Sequence, residues 1–230
     1  MPVVNATDNP LVRNRHVTLV QPGIFLVGMQ GNGLAVETSD GLLLVDTGPS
    51  PAIVPETLAL LREHTDLPIR WIVYSHGHLG YNFGVPAFLE DAARRGDPPA
   101  GAGGPREPGP PLPPLHRDRG PAEPHQRTPV PATRRGLPRR AAAGVPRPDY
   151  RDALTITTAG RTVRLLWAPS ETDDVTVVWL PDDKVLYGSA AVLDSIPNIG
   201  TPFRTMRDTA RWADTLESMA ALGPEVLIPE

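Results

Sequence analysis

The stretch Trp71-Ile72-Val73-Tyr74-Ser75-His76-Gly77-His78-Leu79-Gly80-Tyr81-Asn82-Phe83-Gly84 decides how the rest of the chain is read. Its first four residues form an apolar run of aromatic and β-branched side chains, the signature of a buried strand. The run leads straight into two histidines one residue apart, which can face the same way and grip one metal ion through imidazole nitrogens. The chain has no cysteine, so a transition-metal site must be built from His, Asp and Glu. His-x-His alone is weak. Its position at the end of a buried strand, where functional loops gather, and the glycine-rich tail that follows give it weight.

Upstream, Gly23-Ile24-Phe25-Leu26-Val27-Gly28 and Leu34-Ala35-Val36-Glu37-Thr38 read as strands. Ser39-Asp40-Gly41 turns the second into Leu42-Leu43-Leu44-Val45-Asp46, since Asp-Gly between apolar runs is a strong hairpin signal. Thr47-Gly48-Pro49 ends that strand, and Ser50 can N-cap a helix running to about residue 65. A second helix is expected over about 85–95. Downstream, strands are predicted over 154–156 and 163–167, followed by a hairpin of 175–180 and 185–188 around Pro181-Asp182-Asp183-Lys184. A helix over 208–222 places Trp212, Leu216, Met219 and Ala220 on one face, and 226–228 closes as a strand. Strands followed by helices in each half predict an α/β architecture of two sheets sandwiched between helices.

The chain thus divides in three: residues 1–96 and 149–230 are two halves of one domain, and 97–148 is different. That window holds 15 prolines, nine arginines, seven glycines and seven alanines in 52 residues, with five large aliphatics and no aromatic. Prolines at this density block helix and ladder hydrogen bonds, and too little apolar surface remains to offset ordering the chain. Nine arginines against four acids make it basic. One reading is an irregular basic insert. The other, adopted here as the working expectation, is GC-rich coding sequence translated out of frame between two compensating frameshifts. A GC-rich gene also accounts for Lys184 being the only lysine beside 21 arginines.

Bulk properties narrow the function classes. A net charge of −4 over 230 residues gives no reason to expect a nucleic-acid partner. No stretch approaches the roughly 18 apolar residues of a membrane span, and the N-terminus lacks a leader pattern. A cytoplasmic protein acting on a small-molecule substrate, with no membrane partner, is expected; oligomeric state is not legible.

Four segments taken in order carry a specific resemblance: Gly-Leu-Leu-Leu-Val-Asp46-Thr-Gly48, Tyr-Ser-His76-Gly-His78-Leu-Gly-Tyr-Asn-Phe-Gly84, Ala-Pro169-Ser-Glu171-Thr172 and Val-Leu-Tyr-Gly188. Together they resemble the metallo-β-lactamase superfamily, and within it the hydrolases related to alkyl sulfatases. The resemblance implies a four-layer αββα sandwich with one or two zinc ions at the sheet edge. In the family's His-x-His-x-Asp-His turn, the first two histidines help hold one ion and the Asp and last His hold the second. This sequence keeps His76 and His78 but has Gly80 and Tyr81 at the other two positions. Where the family often carries a metal-binding His in Pro-Gly-His-Thr, Glu171 stands, as glutamate does near this point in alkyl-sulfatase relatives. Ala190 replaces the bridging Asp of a later motif. The family's last His follows the strand matching 226–228, so a chain ending at Glu230 is expected to stop short of it.

The resemblance therefore implies a single zinc held by His76, His78 and Glu171. Asp174 is a candidate base or fourth ligand; the plainer reading is that Asp173 and Asp174 are solvated carboxylates. Tyr81, a candidate catalytic group, and Asn82, a candidate substrate contact, either line the space a second ion would take or simply pack and turn. Asp46 either orients the site from beneath through hydrogen bonds or caps its own turn. Arg204 suits an anionic group of the substrate. His16 and His64 are expected at the surface. The expected function is a metal-dependent hydrolase using metal-activated water on an ester-like bond, a sulfate ester being one such bond. The replaced ligands keep open the alternatives of a non-catalytic binding module and of a damaged gene product.

Overall fold

The computed structural model of the protein describes residues 15–78, 80–95, 101–103, 152–195, 199–200 and 207–230. The first half builds β1 (Val17–Gln21), β2 (Ile24–Gly28), β3 (Asn32–Thr38), β4 (Gly41–Val45), α1 (Val54–Arg62), β5 (Ile69–Val73), α2 (Val85–Arg94) and β6 (Gly101–Gly103). The second half builds β7 (Ala153–Thr158), β8 (Arg161–Trp167), β9 (Thr176–Leu180), β10 (Val185–Ser189), α3 (Thr209–Ala220) and β11 (Val226–Pro229). One sheet runs β1-β2-β3-β4-β5-β6 and the other β11-β10-β9-β8-β7. Neighbours pair antiparallel except β4–β5, β5–β6 and β10–β11. Each parallel pair needs a crossover, and α1, α2 and α3 provide them.

The strands are apolar on both faces because both faces are covered. Ile24, Leu26, Leu34, Val36, Leu43 and Val45 point towards Val163, Leu165, Val178, Leu180, Val185 and Tyr187 of the other sheet, forming the inner core. The alternate residues Phe25, Val27, Ala35, Leu42 and Leu44 pack outward against Val54, Leu58 and Leu61 of α1 and Val85 and Phe88 of α2. Val177, Trp179 and Leu186 pack with Met219 of α3 on the far side. The layers are those of an αββα sandwich, as expected.

Polar side chains tie the sheets together at both ends. Arg161 donates to the carbonyls of Pro22, Gly23 and Glu37 and to both carboxylate oxygens of Asp183, at 2.7–3.2 Å. At the opposite end the Tyr187 hydroxyl donates to the Asn32 carbonyl (2.6 Å), and Asn32 Nδ2 donates to the Pro229 carbonyl (3.0 Å).

Three expectations need adjustment. The segment Val17–Gln21 was not predicted as a strand, yet it forms β1 with Leu19 55% exposed; an edge strand carries little apolar signal to detect. On α3, Leu216 is 42% exposed and Ala220 is also exposed. The buried face is Trp212, Thr215 and Met219, with the Thr215 hydroxyl satisfied by the Pro169 carbonyl at 2.8 Å. Residues 101–103, placed in the irregular window, pair in parallel with β5; the rest of that window, with His116 and His125, lies outside the described residues. Ser50 does cap as expected, its Oγ accepting from Ala52 N at 3.2 Å, although the first turn is 3-10 before α1 begins. His64 is exposed, while His16 is half-buried.

Candidate metal centre

The parallel strands β4 and β5 set the site's location, because loops leaving their carboxyl ends gather at one edge of the sandwich. β4 ends at Val45, and Asp46 turns the chain with φ 61° while its N–H donates to the Val73 carbonyl at 2.9 Å. A left-handed residue other than glycine is uncommon, and Asp is among the types that tolerate it. At the end of β10 in the other sheet, Ser189 also has positive φ, 48°.

Asp46 is buried and serves the loop after β5. Its Oδ1 accepts from the backbone N–H of Ser75 and from Asn82 Nδ2, each at 2.9 Å. Burial pushes its carboxyl up to about 7, against the lowering effect of the Ser75 and Asn82 hydrogen bonds; the nearby Glu230 charge adds to the rise. Burial likewise pushes the Tyr187 phenol up. Asp46 thus stands at the end of β4 with its carboxylate hydrogen-bonded to the backbone of the histidine turn and to Asn82.

The turn carries two imidazoles in series. Ser75 Oγ lies 2.8 Å from His76 Nδ1, and His76 Nε2 lies 2.9 Å from His78 Nδ1. His78 Nδ1 is in turn 3.0 Å from Glu171 Oε2. His76 and Glu171 are buried, and the His78 side chain is 21% exposed. Gly77 separates the histidines because a Cβ there would stand 2.6 Å from Asp174 Oδ2. Gly80, with φ 101°, is equally constrained: a side chain would be strained and would run into the Gln30 carboxamide.

Glu171 comes from the other sheet, on the loop between β8 and β9. Thr176 N–H donates to the Ser75 carbonyl at 2.7 Å and stitches this loop to the histidine turn. Arg207 grips Glu171 twice, through Nε to its carbonyl at 2.9 Å and through Nη2 to Oε1. Both side chains are buried, so each charge has the partner it needs. His76, His78 and Glu171 each present one ligand atom within 4.8 Å of the others, the one such His/Asp/Glu group among the described residues. A tetrahedral zinc with bonds of about 2.0–2.1 Å spaces its ligands roughly 3.3 Å apart, close to the 2.9 and 3.0 Å that separate His78 Nδ1 from His76 Nε2 and from Glu171 Oε2. Two imidazoles and a carboxylate, one imidazole held at its second nitrogen by Ser75, suit such an ion in the chemistry of the donor set.

The other predicted residues are placed unevenly. Asp174 is half-buried against Gly77, with Oδ1 accepting from Thr172 Oγ1 at 2.6 Å. Asp173 is exposed and pairs with Arg211 at 3.6 Å. Tyr81 lays its ring on the histidines, 4.4 Å from the His76 ring and 6.4 Å from that of His78. Its hydroxyl donates to Glu230 Oε1. The amide nitrogen of Asn82 is committed to Asp46. Arg204 lies outside the described residues. Sequence reasoning missed Arg207 and Glu230. Neither stands in a motif, and only the tertiary fold brings them to the site, Arg207 lying 129 and Glu230 152 residues beyond His78 along the chain. Among the described residues no helix is long and apolar enough to cross a membrane.

Comparison with known proteins identifies the family and the fold. The family model of the metallo-beta-lactamase superfamily matches residues 26–230. A linear primary-alkylsulfatase from Pseudomonas sp. (strain ATCC 19151) is 30% identical over 220 residues, covering 84% of this chain and 40% of the relative. A solved stereoselective inverting sec-alkylsulfatase from Pseudomonas sp. superposes with a TM-score of 0.65 at 16% identity, over 94% of this chain and 38% of that one. A metallo-beta-lactamase from Pontibacter korlensis superposes with a TM-score of 0.59 at 18% identity, over 94% and 90%. The chain spans about two fifths of the alkylsulfatases it matches. A family match reaching from β2 to the last residue, on a fold that solved members share, leads to one assignment: the chain belongs to the metallo-β-lactamase superfamily.

Proposed function

We propose that the protein is a metal-dependent hydrolase in which His76, His78 and Glu171 hold a single zinc ion, and that it cleaves an ester-like bond of a small molecule, with alkyl sulfate esters the leading substrate class. The observation that carries the reading is the convergence of three ligand-type atoms from two sheets at one strand edge. The substrate class rests on the likeness to alkylsulfatases. When bound, zinc in a His2Glu set supplies a Lewis acid and makes water a usable nucleophile at neutral pH.

The chain's own residues supply the rest. Ser75 fixes the His76 ring so that Nε2 faces the site. Asp46 holds the turn through Ser75 N–H and Asn82. Asp174, packed against Gly77 between the two histidines, is the proposed proton acceptor for the attacking water. Tyr81 walls one side of the site, its ring 4.4 Å from that of His76. A partly exposed His78 leaves a face open to substrate.

The test is turnover of a panel of alkyl sulfate and carboxylate esters by the purified protein. Hydrolysis of at least one member is expected, abolished by chelator and restored by zinc. His76→Ala should lower it by more than about 100-fold, beyond what loss of a ligand's outer partners costs. A second reading, a binding module that keeps the fold without catalysis, is favoured by Tyr81 and Gly80 at ligand positions; absence of turnover across the panel by zinc-loaded protein selects it.

A further inference from the structure

We infer that Arg207 is the positioning residue for Glu171: its guanidinium holds one carboxylate oxygen so that the other is presented to His78 and to the ion. This rests on the proposed metal site and deepens it. A glutamate has three side-chain torsions, and a free carboxylate on a surface loop would sample many orientations. Here the Glu171 side chain is 7% exposed and that of Arg207 is 9% exposed, so neither charge is satisfied by bulk water. Arg207 Nη2 donates to Oε1, and Oε2 is the oxygen 3.0 Å from His78 Nδ1. The second bond, from Nε to the Glu171 carbonyl at 2.9 Å, fixes the guanidinium relative to the same residue's backbone. One planar fork thus sets both the main chain and the side chain of the proposed ligand, a task the point charge of a lysine cannot reproduce.

The location of Arg207 gives the fork a rigid base. It immediately precedes Asp208, which caps α3 by accepting from Arg211 N–H at 3.0 Å. The helix is fixed in turn by the Trp212 indole N–H on the Ala191 carbonyl (2.9 Å) and by the Thr215 hydroxyl on the Pro169 carbonyl (2.8 Å), two residues before Glu171. The Glu171 loop and the start of α3 are therefore tied to each other by side-chain hydrogen bonds. A cation this close to a zinc ligand has two opposed effects. Its charge repels the ion, while its hydrogen bonds orient the carboxylate and limit it to one coordinating oxygen. Positioning is the larger effect where the carboxylate is buried, because an unpaired buried carboxylate is not available in a defined geometry at all.

The two effects have opposite signs, which makes the inference testable with zinc and cobalt binding to the full chain. Arg207→Gln should weaken zinc affinity by about 10–100-fold, the range seen when an outer partner of a metal ligand is removed, and should alter the visible spectrum of the cobalt-loaded protein. Arg207→Lys should recover only part of the affinity. Unchanged or tighter binding by Arg207→Gln would overturn the inference and leave only charge repulsion. A second measurement needs no metal: a double-mutant cycle of Arg207→Gln and Glu171→Gln on unfolding in chelator. Non-additive effects are expected, and additive effects overturn the inference. If the wild type binds no zinc while the cycle shows coupling, the metal-site reading fails and the Arg207–Glu171 tether stands.

Discussion

Asp46 concentrates the residue-scale physics of this protein. It adopts a left-handed backbone, is buried, and accepts two hydrogen bonds that hold the histidine turn. Its carboxyl is pushed from 3.8 up to about 7 by burial. In metal-free protein the folded carboxyl keeps its proton to about pH 7, while the unfolded one releases it near 3.8. The folded state therefore binds the extra proton between those values, and stability falls as pH rises across that window, then levels above it. The shift of about three units corresponds to a loss on the order of 4 kcal/mol. Urea unfolding in chelator at pH 5 and pH 8 should show the decline, and Asp46→Asn should flatten it; an identical pH slope in the variant would contradict this account of Asp46. His76 and His78 were legible because two ligands one residue apart on a strand end form a local pattern. Glu171 was legible only through the family resemblance. Arg207 and Glu230 were not legible, since their roles depend on chain crossings that no local spacing encodes.

At the scale of elements, the strands were the most readable parts. β2, β4, β5, β9 and β10 are short apolar runs bounded by turn residues, and hidden sheets buried on both faces produce that signal. The two edges of the six-stranded sheet were missed for the complementary reason: β1 is half-exposed, and β6 is a Gly-Ala-Gly segment with almost no side chain to read. Helix α3 shows how periodicity can misplace a face. Apolar spacing selected Leu216, but the packed face runs through Thr215, whose hydroxyl finds a carbonyl and so costs nothing to bury. Met219→Ala should lower unfolding stability by about 2–4 kcal/mol, whereas Leu216→Ser should change it by less than about 0.5 kcal/mol. Chemical denaturation of the two variants checks the assignment, and a larger effect at Leu216 would reverse the face.

At the scale of the whole molecule, the sandwich brings together what the sequence separates. The histidines ride on the six-stranded sheet and Glu171 on a loop of the five-stranded sheet, so an ion held by all three would bridge the two halves of the domain. The same edge collects Asp46, Tyr81, Asn82 and Glu230, while Arg161 locks the sheets at the other end. The site is thus a property of the packing of one sheet on the other. The most direct test of the central claim is the zinc content of the protein after loading and exhaustive dialysis, measured beside His76→Ala, His78→Ala and Glu171→Gln. About one zinc per chain is predicted for the wild type, as a three-ligand site requires, with each variant retaining only a small fraction of it. A zinc-free wild type, or variants that keep the wild-type stoichiometry, would contradict it.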